Sequence, residues 1–311
     1  METRFIETRE YRRFCEFCDA CTQHHYIGIC YGPPGVGKTL SARHYTNWAQ
    51  LESMDLNPYQ QQIAPPFTGR AILYTVSVVN NPARIDADIG ILRKRLLLAS
   101  PEMKQLERQQ REREADAVKR QDSDRDIYMS ETNRWRRQLK SFEEFQSKPT
   151  YADVIREGAI LRDNVKDPTA LIIVDETDQL KVPSIEQLRH IFDRGGIGLV
   201  LIGMPGLEKR LARYPQLYSR VGFAHEFRPL THGETRQLLQ HQQIRIDVPL
   251  PEHEWADEEG IASIVRISAG NFRLLGRLLT QIGRILEINN LHQVTRDVVE
   301  TARENLVIGT D

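Results

Sequence analysis

Eight residues, Gly32-Pro33-Pro34-Gly35-Val36-Gly37-Lys38-Thr39, constrain this chain more than any other stretch. Ahead of them, Tyr26-Ile27-Gly28-Ile29-Cys30-Tyr31 reads as a short buried strand. Behind them, residues 39–48 read as a helix. The Gly/Pro run between can continue neither element. A strand, then G-x4-G-K-T, then a helix is the context a phosphate-binding loop requires. The glycines let main-chain N–H groups turn inward and approach a polyphosphate closely. Lys38 places a cation on the β- and γ-phosphates, the Thr39 hydroxyl is a ligand for Mg²⁺, and the helix N-terminus adds to anion binding. The nucleotide-binding set is therefore Gly32, Pro33, Pro34, Gly35, Val36, Gly37, Lys38, Thr39 and Leu40. The expected cofactors are ATP and Mg²⁺.

A second signal supports the first. Leu171-Ile172-Ile173-Val174-Asp175-Glu176 reads as a strand buried on both faces that ends in two carboxylates. Carboxylates at the C-terminal end of a parallel strand face the crevice where ligands bind. That position assigns Asp175 to Mg²⁺ and Glu176 to orienting and polarising the attacking water. Asp178 has no clear task beyond capping the next turn.

The remaining apolar patterning places these motifs in an α/β frame. Residues 71–79 read as a second strand, 85–98 as a helix, 197–202 as a buried strand and 221–227 as one more. Residues 184–194 read as a helix opened by a Ser184/Gln187 capping box, and Thr231 with Glu234 forms another such box. Strands alternating with helices imply a parallel sheet covered on both sides. After Pro229 only helical stripes remain, which implies a small all-α region. The expected organisation is an N-terminal helix over 1–25, a nucleotide-binding domain over 26–228 and a helical lid over 229–311. Residues 101–148, dense in mixed charge, read either as an exposed helical insertion or as a solvated, partly disordered linker.

Composition closes off several classes. The 311 residues carry 42 Lys and Arg against 43 Asp and Glu, a net charge of -1, so sequence-blind binding through bulk positive charge is excluded. No apolar run reaches the roughly eighteen residues of a membrane span, and the first ten residues lack an apolar signal core, so the expected location is cytoplasmic. Cys15, Cys18 and Cys21 near His24 and His25 suggest a metal cluster, but they share one face of a helix. Core packing is the better reading of them.

Two arginines invite a catalytic reading. Ser219-Arg220-Val221 precedes the last strand, with Arg210 and Arg213 upstream. Arg220 reads either as a finger reaching the γ-phosphate of a neighbouring subunit's nucleotide or as an ordinary surface ion pair. Gly270-Asn271-Phe272-Arg273 opens a helix of the C-terminal region. An arginine in a first turn opposes the helix dipole, so Arg273 is read as a phosphate contact from the lid, against the alternative of a solvated side chain.

Together the phosphate loop, the Asp-Glu strand end, Ser-Arg before the last strand and Gly-Asn-x-Arg in a helical lid resemble an AAA+ ATPase. The segments Gly198-Leu199-Val200-Leu201-Ile202-Gly203-Met204-Pro205-Gly206-Leu207 and Gly270-Asn271-Phe272-Arg273-Leu274-Leu275 narrow the resemblance to transposition ATPases of the TniB/TnsC type, related to MuB and the ExeA-like ATPases. The resemblance implies a P-loop NTPase sheet sandwiched by helices and followed by a small all-α lid. It implies an ATPase that assembles into rings or helical filaments on double-stranded DNA and directs a transposase or target-selection protein, with no membrane partner. On that basis Lys38, Glu176 and Arg220 are catalytic, Thr39 and Asp175 hold the metal, and Arg273 is a second sensor. DNA would be met by the loop after the second strand and the helix that follows, at Arg84, Arg93, Lys94 and Arg95; a solvated helix face is the alternative. One departure stands out: the strand ending at Gly203-Met204-Pro205 offers no polar first sensor. Other AAA+ roles, such as helicase loading or a secretion-associated ATPase, share the same motifs. A slowly hydrolysing, nucleotide-gated interaction module would explain the missing sensor.

Overall fold

Five short strands build one sheet: β1 (Ile27–Tyr31), β2 (Ala71–Thr75), β3 (Leu171–Asp175), β4 (Gly198–Gly203) and β5 (Val221–Glu226), in the order β2-β3-β4-β1-β5. In this computed structural model, residues 5–56, 64–130, 151–240 and 255–306 are described, with 120–130 as backbone only. β1 pairs in parallel with β4 and β5, and β3 with β4. The three central strands are apolar on both faces, and Ile27, Ile29, Ile172, Ile173, Val174, Val200 and Ile202 are all buried. This is the burial that a parallel sheet covered by helices demands. β5 lies on the edge, and its residues alternate between half-buried and exposed.

Two compact units divide the chain: Met1–Tyr45 with Leu73–Ile85 and Leu171–Asp311, and Thr46–Ile72 with Asp86–Ala170. In the first, helix α1 (Arg9–His24) opens on Thr8, whose hydroxyl accepts from the Tyr11 amide at 3.1 Å. Its Phe14, Cys18 and Cys21 are buried together with Cys30 of β1. Burial pushes the Cys21 thiol up to about 12 and the Cys18 thiol well above its usual range, so these are inert core groups. The phosphate loop leads into α2 (Lys38–Tyr45). After β5 the described residues form helices, with one isolated bridge between Ala256 and Val294. Leu275, Leu278, Leu279 and Ile282 of one long helix (Phe272–Asn289) pack with Ile264 and Val299 in a separate apolar core. Thr231 and Glu234 form the expected capping box: the Thr231 amide donates to Glu234 Oε2 at 2.9 Å, and the Glu234 amide to Thr231 Oγ1 at 3.2 Å.

Three expectations are corrected. The second strand stops at Thr75, and Val78 and Val79 are 82% and 73% exposed beyond it, because the chain turns away from the sheet there. The helix expected to begin at Ser184 runs Val182–Asp193, with Pro183 in its first turn. Ser184 is therefore buried inside the helix, and its hydroxyl donates to Asn80 Oδ1 at 2.9 Å instead of capping. Residues 101–148 are neither wholly exposed nor a linker where described. Pro101–Ser130 is one helix, packed against a second helix, Tyr151–Asp163, that periodicity did not mark. Met103 and Gln110 are buried, and Gln110 Nε2 donates to the Val154 carbonyl at 2.9 Å. The charge-rich pattern hid this face because Lys104 and Glu107 belong to it, as a buried ion pair 2.9 Å apart. The remainder, 131–148, lies outside the described residues. Among the described residues no helix is long and apolar enough to cross a membrane.

A buried pair costs most when only one partner is removed. Glu107→Ala should destabilise the second unit by about 3–5 kcal/mol, whereas Lys104→Met with Glu107→Leu should be close to neutral. Hydrogen exchange across 101–119 reads the difference, as a loss of protection confined to the single variant.

Candidate functional site

The register of the sheet places the ends of β1, β3 and β4 side by side. Tyr31 lies opposite Gly203, and Val174 opposite Leu201, so Gly32, Asp175 and Gly203 share the carboxyl edge. Ligands bind at this edge of open α/β sheets. Gly32 leaves β1 directly beside the main chain of Phe227, and a side chain at 32 would run into the Phe227 carbonyl. Gly35 and Gly37 both have left-handed φ, 81° and 106°, which aims the loop amides inward.

Lys38 Nζ donates to the carbonyls of Gly32 and Pro33 at 2.6 and 2.7 Å, so the ammonium closes the loop on itself. Burial lowers the Lys38 pKa against the opposing pull of Cys30, Asp175 and Asp178. Thr39 and Leu40 lie in the first turn of α2, both exposed. Asp175 is buried at the end of β3. Its Oδ1 accepts from the Glu176 amide at 2.8 Å, while its Oδ2 is buried with no hydrogen-bond partner among the described residues. A buried, unpartnered carboxylate oxygen beside a phosphate loop fits a divalent cation held with Thr39. Glu176 follows in a left-handed turn, φ 58° and ψ 38°, with its side chain exposed and its Oε2 accepting from Gln179 at 2.6 Å.

The helical region reaches this loop directly. The Arg273 amide donates to the Gly35 carbonyl at 3.1 Å. Asn271 caps its helix, accepting from the Leu274 amide at 3.1 Å, and donates from Nδ2 to the Pro34 carbonyl at 2.8 Å. The Arg273 side chain is exposed at this junction. Sequence reasoning singled out Arg273 but passed over Asn271, which the preference for Asn at helix N-caps marks. It also passed over the acceptor role of Asp178, whose Oδ2 takes the Met204 amide at 2.7 Å.

The arginine assignments divide. Arg210 donates to the carbonyls of Asp178, at 2.7 Å, and Leu180, and so is engaged within its own chain. Arg220 lies at the opposite edge of the sheet, where its carbonyl accepts from Ile27 at the start of β1. A five-residue strand spans about 16 Å, so Arg220 is out of reach of its own phosphate loop. Its guanidinium forks onto Asp193, Nε to Oδ1 at 2.5 Å and Nη2 to Oδ2 at 2.9 Å, which is the ion pair of the alternative reading. Partial burial pushes the Asp193 carboxyl up, but Arg220 and Arg189 outweigh it and hold the pKa below its ordinary value.

The four basic residues assigned to DNA differ in their surroundings. Arg93 pairs with Asp167 at 2.7 Å. Arg95 donates to the carbonyls of Leu51, Glu52 and Met54, closing the C-terminus of the helix Trp48–Ser53. Arg84 and Lys94 are exposed.

Removing the Lys38 ammonium takes away both the loop closure and a phosphate cation. Lys38→Met should weaken ATP binding at least tenfold, about 1.4 kcal/mol, in a titration with a fluorescent ATP analogue. Gly35→Ala should weaken it as well. It forces a Cβ into a left-handed position against Asn271 and Arg273, at a cost of about 1–3 kcal/mol.

Comparisons with known proteins bear on the family and the fold. A family model described as an AAA domain matches residues 21–211. A protein of Staphylococcus aureus named "Potential ATP-binding protein" is 39% identical over 309 residues, covering 98% of this chain and 97% of the other. Among solved structures, the RuvB Holliday junction branch migration motor of Thermotoga maritima superposes with a TM-score of 0.52 at 15% identity, over 98% of this chain and 71% of that one. The ORC1 protein of Aeropyrum pernix, solved in complex with DNA, gives 0.53 at 17% identity, over 97% and 66%. At such identities these two likenesses concern the fold.

Proposed function

The chain belongs to the AAA domain family, and from that premise we propose that it is an ATP-hydrolysing regulator that assembles on double-stranded DNA and acts on a transposase or target-selection protein. One observation carries the ATPase part. A self-closed phosphate loop, a buried aspartate with one unpartnered oxygen, and the first turn of a lid helix meet at one edge of the sheet.

In this reading the loop amides and Lys38 hold the β- and γ-phosphates, and the Asn271–Arg273 turn brings Arg273 to the same phosphates. Thr39 and Asp175 would hold Mg²⁺, which when bound would neutralise phosphate charge. Glu176 aligns a water in line with the γ-phosphate and accepts its proton. The water oxygen bonds to phosphorus as the bond to the β-phosphate oxygen breaks, and ADP and inorganic phosphate leave. Arg220 serves the neighbouring subunit's site, since it cannot reach its own. It must keep or exchange its Asp193 partner on assembly.

The DNA and transposition parts rest on the family-like segments at 198–207 and 270–275 and on the exposed Arg84 and Lys94. RuvB, a Holliday junction branch migration motor, and ORC1, solved in complex with DNA, are compatible neighbours. An assembly that lines up one or two cations per subunit binds DNA cooperatively despite a near-neutral chain.

Electron microscopy with linear duplex DNA and Mg²⁺ tests the proposal. Regular filaments or rings should form on DNA with a slowly hydrolysed ATP analogue and be absent with ADP. Glu176→Gln should bind ATP normally, lose hydrolysis by at least a hundredfold and accumulate the assembled form. DNA binding that ignores the nucleotide would overturn the regulator reading.

A further inference from the structure

A polar side chain at the end of β4 is missing from this sequence, yet the end of β4 does not lack a polar group. Asp178 supplies one from the neighbouring strand's turn. Its Oδ2 accepts from the Met204 amide at 2.7 Å. The carboxylate lies over Gly203, where a Cβ would come within 2.5 Å of the same oxygen, so glycine at 203 is the condition for this arrangement. β4 stands between β3, which ends in Asp175, and β1, which runs into the phosphate loop. Asp178 therefore ties the turn that carries Glu176 to the strand end next to the loop, and its charge is among those acting on Lys38.

On the side away from β4 the turn is held by Asn80, whose Nδ2 donates to the Gln179 carbonyl at 3.1 Å, and by the buried Thr177, whose hydroxyl donates to the Val174 carbonyl at 3.1 Å. Glu176 occupies a left-handed conformation, and Thr177–Gln179 is a single 3-10 turn. Toward β4, among the described residues, it is tied by hydrogen bonds from the Met204 amide to the Asp178 carboxylate and from Arg210, reaching back from the helix Leu207–Leu211, to the Asp178 and Leu180 carbonyls. Within the turn, Gln179 Nε2 donates to Glu176 Oε2 at 2.6 Å, so whatever fixes the turn fixes the Glu176 carboxylate. A general base must be held to within hydrogen-bond reach of the water it aligns.

Resting on the hydrolysis reading above, we propose that Asp178, seconded by Arg210, is the positioning residue that holds Glu176 against the phosphate loop, taking the place of a polar first sensor on β4. It acts through Glu176 and the Met204 amide and need not touch the nucleotide.

Steady-state ATPase kinetics with parallel nucleotide titrations test this on the full chain. Asp178→Ala should lower kcat about 10–100-fold with ATP KM and affinity within about twofold of wild type. Asp178→Asn keeps an oxygen for the Met204 amide and should recover most of the rate; Arg210→Met should lower kcat in the same sense as Asp178→Ala. Unchanged kcat in Asp178→Ala overturns the assignment. So does a joint loss of rate, affinity and thermal stability that Asp178→Asn fails to rescue, since that would mark a purely structural strap. Wild type and Glu176→Gln run alongside separate the two ideas. No turnover in wild type above the Glu176→Gln background sinks the hydrolysis reading and this role with it. Turnover that Glu176→Gln abolishes and Asp178→Ala retains sinks this role alone.

Discussion

The phosphate loop is gripped from two directions by neighbours that come too close to admit a side chain, main chain at Gly32 and side chains at Gly35. At Gly32 the obstacle is the Phe227 carbonyl, just past β5, and at Gly35 it is the capped first turn carrying Asn271 and Arg273. A loop whose amides all point inward has few internal hydrogen bonds, so its shape depends on these neighbours. Lys38 adds the third constraint by bonding to two carbonyls of the loop itself. The helical region is thereby coupled to the nucleotide site through backbone contacts at Pro34 and Gly35, and a change in the loop must be felt at the start of that long helix.

The same carboxyl edge shows how a parallel sheet concentrates unsatisfied polarity. Its central strands are apolar throughout, so carboxylates are expelled to the strand ends, where water or a ligand can meet them. Asp175 is the extreme case, buried with one oxygen unpartnered among the described residues. Asp178 is the opposite: exposed, with its carboxylate turned onto the Met204 amide. Two carboxylates three residues apart thus have different fates, because one sits on the strand and the other on the turn that leaves it.

Much of this was legible in one dimension. The glycine, lysine and threonine spacing, the apolar strand ahead of it, the Val-Asp-Glu strand end and the Thr231/Glu234 box are local patterns, and each became the local structure it implies. Legibility failed where a residue's partner is distant in sequence. Ser184 next to Gln187 looks like a cap, but Asn80 claims its hydroxyl. Arg95 looks like a free cation, but three carbonyls near residue 52 occupy it. Lys104 and Glu107 look like a solvated pair and are instead buried together.

By itself the sequence determined the chemistry available: an anion-binding loop, a strand ending in carboxylates, and helices with one apolar face. These follow from residue type and short-range spacing, which fix backbone freedom, charge and periodicity. Tertiary structure alone decided which arginines are engaged within the chain, which aspartate oxygen is left without a partner among the described residues, and that a C-terminal helix starts on the phosphate loop. Those outcomes depend on which segments the sheet order brings together at one edge, and no local pattern encodes that distance.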